Sequence, residues 1–339
     1  MAPFDPNAAA APDSGVFGLP CTPEDSEVVL LPIPFEATTS YGGGTADGPA
    51  AILAASKQVD LFDVETGRPY ERGIAMLEPN PEIRLWNDEA RALAAPIIAA
   101  GGAGDDPQLL AALAKVNALC AQMNAAVYAE AKAWLSRGKR VVGVGGDHST
   151  VYGIIRAYAE RHPGLGVLHV DAHADLRDAY EGFTWSHASI LHNVMTRLPQ
   201  VSRLVQVGIR DLGEAEFRFS EDSRGRIVTH YDARTKARQH EGAAWRELCV
   251  EMVEALPQNV YVSFDIDGLD PTLCPHTGTP VPGGLSYSEA SALIGEVVRS
   301  GRQIVGLDLN EVAPGPDSEW DGNVGARLLY KMIGWMQRG

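Results

Sequence analysis

Positive charge is in short supply in this 339-residue chain: 28 lysines and arginines stand against 44 aspartates and glutamates, a net charge of −16. A nucleic-acid binder carries a basic stripe, and a protein resting on anionic lipid carries a basic cluster. No nucleic-acid or membrane partner is therefore expected. Cysteine is scarce too. Cys21, Cys120, Cys249 and Cys274 lie far apart and form no Cys-x-x-Cys pair. That excludes a disulfide-stapled scaffold and a thiolate zinc site, and fits free thiols in a reducing compartment. No uninterrupted apolar run reaches the 18 residues that a spanning helix needs. The opening Met1-Ala2-Pro3-Phe4-Asp5-Pro6 has neither the basic nor the apolar segment of a secretory signal. The expectation is a cytoplasmic protein.

What is present is ordinary for a folded chain, with 45% hydrophobic and 21% charged residues. Residues 1–25 are rich in Ala, Pro, Asp and Ser without periodicity, and read as a flexible N-terminal arm. From 26 to 339 there is no repeat, linker or break in composition, so one domain is expected. Near-continuous apolar runs predict strands at 27–33, 140–144, 166–170, 204–208, 259–264 and 303–307. A helix start is expected at Gly48-Pro49, and a long helix from Asp106-Pro107 to Ser136, with Gly138 as its stop. Further helices are expected near 149–161, 243–256, 287–299 and 324–337. Fully apolar strands alternating with helices predict an α/β protein whose mostly parallel sheet is covered on both faces.

The chemistry-bearing residues follow three of these strands, and ligands of open α/β sheets bind at the carboxyl ends of strands. Gly145-Gly146-Asp147-His148-Ser149 follows the first, Asp171-Ala172-His173-Ala174-Asp175 the second and Asp265-Ile266-Asp267-Gly268-Leu269-Asp270-Pro271 the third. Side chains two apart in an extended segment share a face. Asp171, His173 and Asp175 therefore converge, as do Asp265 and Asp267, and His148 joins them. Four carboxylates around one point repel and raise one another's pKa unless cations intervene. Oxygen and nitrogen donors without thiolate suit Mn²⁺ or a similar ion such as Ni²⁺, Co²⁺ or Zn²⁺. Six ligands exceed what one catalytic ion takes, so two ions roughly 3.5–4 Å apart are expected. By position, His169 reads as core, and Asp147 as a support behind the ligands or a cap rather than a ligand.

These three motifs resemble the signatures of the ureohydrolase family, which includes arginases, agmatinases, guanidinobutyrases and formimidoylglutamases. The likeness spans roughly 27–337 and includes the Gly48–Ile52 segment and Gly306-Leu307-Asp308-Leu309-Asn310-Glu311-Val312-Ala313-Pro314. It implies a three-layer α/β/α sandwich. It also implies that His148, Asp171, Asp175 and Asp265 hold one divalent ion and Asp171, His173, Asp265 and Asp267 the other. Asp171 and Asp265 would bridge, with a hydroxide between the ions as nucleophile. Glu311 stands where the family's guanidinium-binding glutamate sits. His187, in Trp185-Ser186-His187-Ala188-Ser189, matches the family's proton-shuttling histidine. A trimer or hexamer is the assembly the family implies.

The likeness is to the agmatinase branch. Arginases carry an Asn where this chain has Arg177 and an Asp where it has Gly213. The expected partner is a small cationic guanidino compound, agmatine first. Guanidine is the alternative if Trp185, Trp320 and the Gly42–Gly44 loop wall off a short pocket; guanidinobutyrate is another if Arg177 meets its carboxylate. A non-catalytic partner subunit would have lost ligands, and none is missing here. A single-zinc deacetylase lacks this Asp265–Asp267 pair, and phosphoester chemistry needs lysines or arginines that the motifs do not supply.

Overall fold

The computed structural model describes residues 4–11 and 13–339. In chain order its strands are β1 (Val28–Ile33), β2 (Ile74–Met76), β3 (Arg140–Gly145), β4 (Leu165–Val170), β5 (Val201–Ile209), β6 (Ile227–Tyr231), β7 (Asn259–Asp265) and β8 (Gln303–Asn310). The helices are α1 (Gly48–Ser56), α2 (Pro81–Ala99), α3 (Pro107–Ser136), α4 (Tyr152–Arg161) and α5 (Ile190–Arg197). They continue with α6 (Glu214–Glu221), α7 (Asp232–His240), α8 (Trp245–Glu254), α9 (Tyr287–Arg299) and α10 (Trp320–Met336). One sheet holds the eight strands in the order β2-β1-β3-β8-β7-β4-β5-β6, every neighbouring pair parallel.

Strand alternation divides the core in two. Val28, Leu30, Val142, Val144, Leu168 and Val205 face α1, α8, α9 and α10. Val29, Leu31, Val141, Val167 and Leu204 face α2, α3, α4 and α5. This is the expected three-layer α/β/α sandwich, and it explains the unbroken apolar strands, which need both faces covered. Pro32 is tolerated inside β1 because β2 ends at the Leu30–Met76 pair. The amide that Pro32 lacks would have faced no partner strand. Helix α3 carries an 18-residue stretch of mean hydropathy 1.2, enough by length and composition to cross a bilayer. Here it packs through Val116, Leu119, Met123 and Val127, with Lys115 paired to Glu89.

All six expected strands form. The structure adds β2, a three-residue edge strand, and β6, whose Thr229, His230 and Tyr231 are only half-buried. It also adds α2, where buried Ile83, Ala90, Ala94 and Ile97 are diluted by charged neighbours and by Pro96. Helix α10 begins at Trp320 rather than 324, and a 3₁₀ turn at His148–Thr150 precedes α4. Within the segment read as an arm, Val16, Phe17 and Leu19 are buried, and the Phe17 ring meets that of Tyr330 at a tilt, 4.8 Å between centroids. Residues 1–3 and 12 of that segment lie outside the described residues.

Tyr158 fills a gap in the sheet. Its hydroxyl accepts from the Val141 amide (2.8 Å) and donates to the Val141 carbonyl (2.9 Å), below the point where the β3–β8 pairing begins at Val142. Gly306 makes room, since a Cβ there would stand 2.4 Å from the ring. Tyr158→Phe leaves two buried backbone groups unpaired and is expected to cost about 1–3 kcal/mol. Denaturant melts will measure this, with turnover at saturating substrate unaltered because the ring lies away from the site.

Candidate metal centre and guanidinium pocket

Four adjacent central strands, β3, β8, β7 and β4, end side by side, and the expected ligands lie at or just past the carboxyl ends of β3, β4 and β7. Close backbone approach sets the first motif: a Cβ on Gly146 would stand 2.1 Å from the Phe35 carbonyl. Asp175 and Glu311 adopt left-handed φ of 54° and 63°. That conformation costs a non-glycine residue about 1–3 kcal/mol and concentrates at working sites.

The structure brings the six expected ligands into two overlapping groups. His148 Nδ1 lies 3.0 Å from Asp171 Oδ2, 3.1 Å from Asp175 Oδ2 and 3.4 Å from Asp265 Oδ2. His173 Nδ1 lies 3.0 Å from Asp267 Oδ2 and 3.5 Å from Asp171 Oδ1. Asp171 belongs to both groups. Five of the six are buried, and His173 is half-buried.

Hydrogen bonds around this cluster decide what it holds. Ser263 Oγ donates to Asp308 Oδ1 at 2.9 Å, so it accepts from His148 Nε2 at 2.9 Å. Asn310 donates to the same Asp308 oxygen at 2.6 Å. His148 therefore directs its Nδ1 lone pair at three carboxylate oxygens. That arrangement is repulsive unless a cation or proton sits among them, so the donor set fits divalent ions. Metal-bound histidines are commonly fixed in this way through their other nitrogen. His169 does the same for Asp171. Gln206 Nε2 donates to the Ala174 carbonyl (2.7 Å) and to His169 Nδ1 (3.0 Å), leaving His169 Nε2 to donate to Asp171 Oδ2 at 2.8 Å. His169 is buried, as expected of a core residue, but it also orients Asp171. That role needed the β4–β5 register and was not readable from spacing.

Without cations the ionisation of the cluster is distorted. Burial and the Asp171 charge push Asp175 up to about 7. Burial and the Asp267 charge hold Asp265 well above the carboxylate range. Burial opposes the charge of His173, yet Asp267 and Asp171 override it and push its imidazole up to about 12. These groups hold protons in the folded state that the unfolded chain releases. The metal-free protein is therefore expected to lose stability as pH rises from about 6.5 to about 8. The metal-loaded protein should not, because its ligands have already shed those protons. Thermal melts with chelator and with Mn²⁺ at both pH values check the sign.

Glu311 has one committed oxygen and one free. Oε1 accepts from the His148 amide at 2.9 Å, while Oε2 is buried with no partner among the described residues. Burial, with the charges of Asp265 and Asp147, raises its pKa well above the usual range. Asp147 accepts from the Ser149 amide at 3.0 Å, which of its two expected roles is that of a cap.

A cavity of about 180 Å³ adjoins the cluster, lined by His173, Asp175, Arg177, Tyr180, His187 and Asp211 among others. His187 is 9% exposed. Its Nδ1 lies 3.4 Å from Thr38 Oγ1, and burial together with the His173 charge pushes it down to about 3. Arg177 lies 3.4 Å from Glu216 and over the Tyr180 ring at 5.0 Å. Trp185 is not on the cavity wall. It packs edge-on against Tyr152 at 4.9 Å and under Arg197 at 4.8 Å. Trp320 is 47% exposed and donates to the Thr272 carbonyl. The glycine loop touches the site region through Gly42, whose amide donates to Gly278 at 2.9 Å.

Arg210 was missed by the sequence reading. Its guanidinium donates to the carbonyls of Gly208 (3.1 Å), Asp267 (2.7 Å), Leu269 (3.2 Å) and Val281 (2.9 Å). It thereby ties the end of β5 to the turn that presents Asp267. Gly284 leaves space for it, since a Cβ there would meet Nη2 at 2.9 Å.

Comparison with known proteins places this geometry. The arginase family model matches residues 26–334. The chain is 35% identical over 321 residues to N(1)-aminopropylagmatine ureohydrolase of Thermus thermophilus, covering 94% of each chain. It is 29% identical over 317 residues to agmatinase of Bacillus anthracis, covering 93% of each. In fold it is similar to proclavaminate amidino hydrolase from Streptomyces clavuligerus, with a TM-score of 0.72 at 24% identity, covering 98% of this chain and 99% of that one. A model match and a relative that both span nearly the whole sequence settle the affiliation: the chain belongs to the arginase family.

Proposed function

We propose that this protein hydrolyses a guanidino compound to urea and an amine in an agmatinase-like reaction at a binuclear centre. The observation that carries this reading is Glu311 Oε2, a buried carboxylate oxygen without a partner among the described residues; Glu311 lies one residue beyond β8 and is joined through Oε1 to the backbone of His148. A guanidinium is planar and doubly donating, so it fits such an acceptor. Relatives named as agmatinases and N(1)-aminopropylagmatine ureohydrolases support it. A guanidinobutyrase of Pseudomonas aeruginosa, 36% identical over 205 residues, keeps guanidino acids as a second reading.

The roles follow from the residues. His148, Asp171, Asp175 and Asp265 would hold one ion and Asp171, His173, Asp265 and Asp267 the other. Mn²⁺ is the first choice and Ni²⁺ the second for donors of this kind. Bound divalent ions supply Lewis acidity that brings the pKa of water to about 7. Glu311 orients the guanidinium and balances its charge. His187 stands in the cavity as a neutral imidazole, with Nδ1 turned to Thr38. Its other nitrogen is left to pass a proton to the departing amine. Overall, a guanidinium and a water become urea and an alkylammonium, so charge is conserved. A cytoplasmic homotrimer or homohexamer belongs to the same proposal. Urea release from agmatine, 4-guanidinobutyrate, guanidine and arginine, with Mn²⁺ and Ni²⁺ supplied separately, tests it. Release from agmatine supports the reading, and no release from any of the four defeats it.

A further inference from the structure

We infer that Asp211 is a specificity-determining residue that receives a second cationic group on the substrate. The cavity would then select guanidino amines over guanidino acids and over guanidine itself. The inference rests on the ureohydrolase reading of the same cavity and adds the class of its substrate.

Position comes first. Asp211 and His173 pair as a parallel bridge, and the Asp211 amide donates to the Ala172 carbonyl at 3.0 Å. The end of β5 therefore runs about 4.8 Å from the second ligand motif, and Asp211 lines the cavity with His173, Asp175 and His187.

Charge comes second. Beside the ligands, three charged side chains line the cavity: Arg177, Asp211 and Glu216. Glu216 is spent. Its Oε1 accepts from the Leu176 amide at 3.0 Å, and its Oε2 from the Gly213 amide at 2.7 Å and from Arg177 at 3.4 Å. Arg177 is neutralised by that pair and stacked over Tyr180, so it is poorly placed to receive a substrate carboxylate. Arg210, the neighbour of Asp211 in sequence, is turned away onto four backbone carbonyls. Asp211 is the remaining charge: an exposed carboxylate with no salt bridge or side-chain hydrogen bond among the described residues. A substrate that brings an ammonium to this wall gains a partner there. A substrate that brings a carboxylate meets a like charge.

The experiment compares wild-type protein with Asp211→Asn, each loaded with Mn²⁺, on agmatine, guanidine and 4-guanidinobutyrate, following urea. The wild type is expected to prefer agmatine. Asp211→Asn should lower the agmatine-to-guanidine ratio of kcat/KM about 10-fold, mainly through KM, and narrow the gap between agmatine and 4-guanidinobutyrate. The agmatine KM should rise with ionic strength in the wild type and lose that dependence in the variant. Asp211→Glu should restore part of the preference. An unchanged agmatine-to-guanidine ratio, or a wild type that prefers guanidine or 4-guanidinobutyrate, overturns the role of Asp211 while leaving the ureohydrolase reading intact. No urea from the wild type on any of the three overturns that reading and the inference together.

Discussion

His173→Ala is expected to lower kcat about a thousandfold or more and to leave the chain with fewer than two bound ions. His173 faces Asp267 at 3.0 Å and Asp171 at 3.5 Å and is the sole imidazole of its group. Removing it leaves two buried carboxylates facing a cavity. The second group, built on His148 with Asp171, Asp175 and Asp265, keeps its geometry because Ser263 and Asp308 fix His148 independently. One ion should therefore remain. Elemental analysis of dialysed protein counts the ions, and circular dichroism checks that the fold persists. Two tightly held ions in the variant would show that the two groups have been wrongly divided.

Glu311→Gln should separate substrate binding from metal binding. The amide oxygen can still accept from the His148 backbone N–H, so the loop keeps its anchor. What disappears is the capacity of a buried oxygen, without a partner among the described residues, to carry negative charge against a guanidinium. The expected loss is about 10²-fold or more in kcat/KM, with both ions retained. Stability should move the other way, rising by about 1–2 kcal/mol, because burial and the neighbouring carboxylates hold this carboxyl protonated at the expense of the fold, and a neutral amide escapes that cost. Steady-state kinetics, metal content and a denaturant melt report the three effects separately. Loss of an ion in this variant would make Glu311 a ligand rather than a guanidinium receptor.

The difference between what could and could not be read in advance follows from range. Val28–Ile33 and Val260–Phe264 were legible as strands because burial on both faces leaves them almost wholly apolar. β6, on the sheet edge with Thr229 and His230 half-buried, carries no such signal. The site motifs were legible because each is local: Asp171, His173 and Asp175 need only the two-residue repeat of extended chain. Their supports are not local. Ser263 and Asp308 are 45 residues apart, His169 and Gln206 are 37 apart, and both contacts exist only once strand order and register are set. The same holds for Arg177, a free cation by sequence until folding places Glu216 against it. Trp185, two residues before His187, packs on Tyr152 at 4.9 Å, a contact between residues 33 apart that exists only once the chain is folded.

The most direct test of the binuclear, guanidine-cleaving centre is a metal titration of chelator-stripped protein, counting ions bound per chain while following urea from agmatine. Two ions per chain are expected, with urea release absent in the stripped protein and rising as the second ion binds. Full urea release from the metal-free chain, or release that saturates with a single ion, would contradict a binuclear centre.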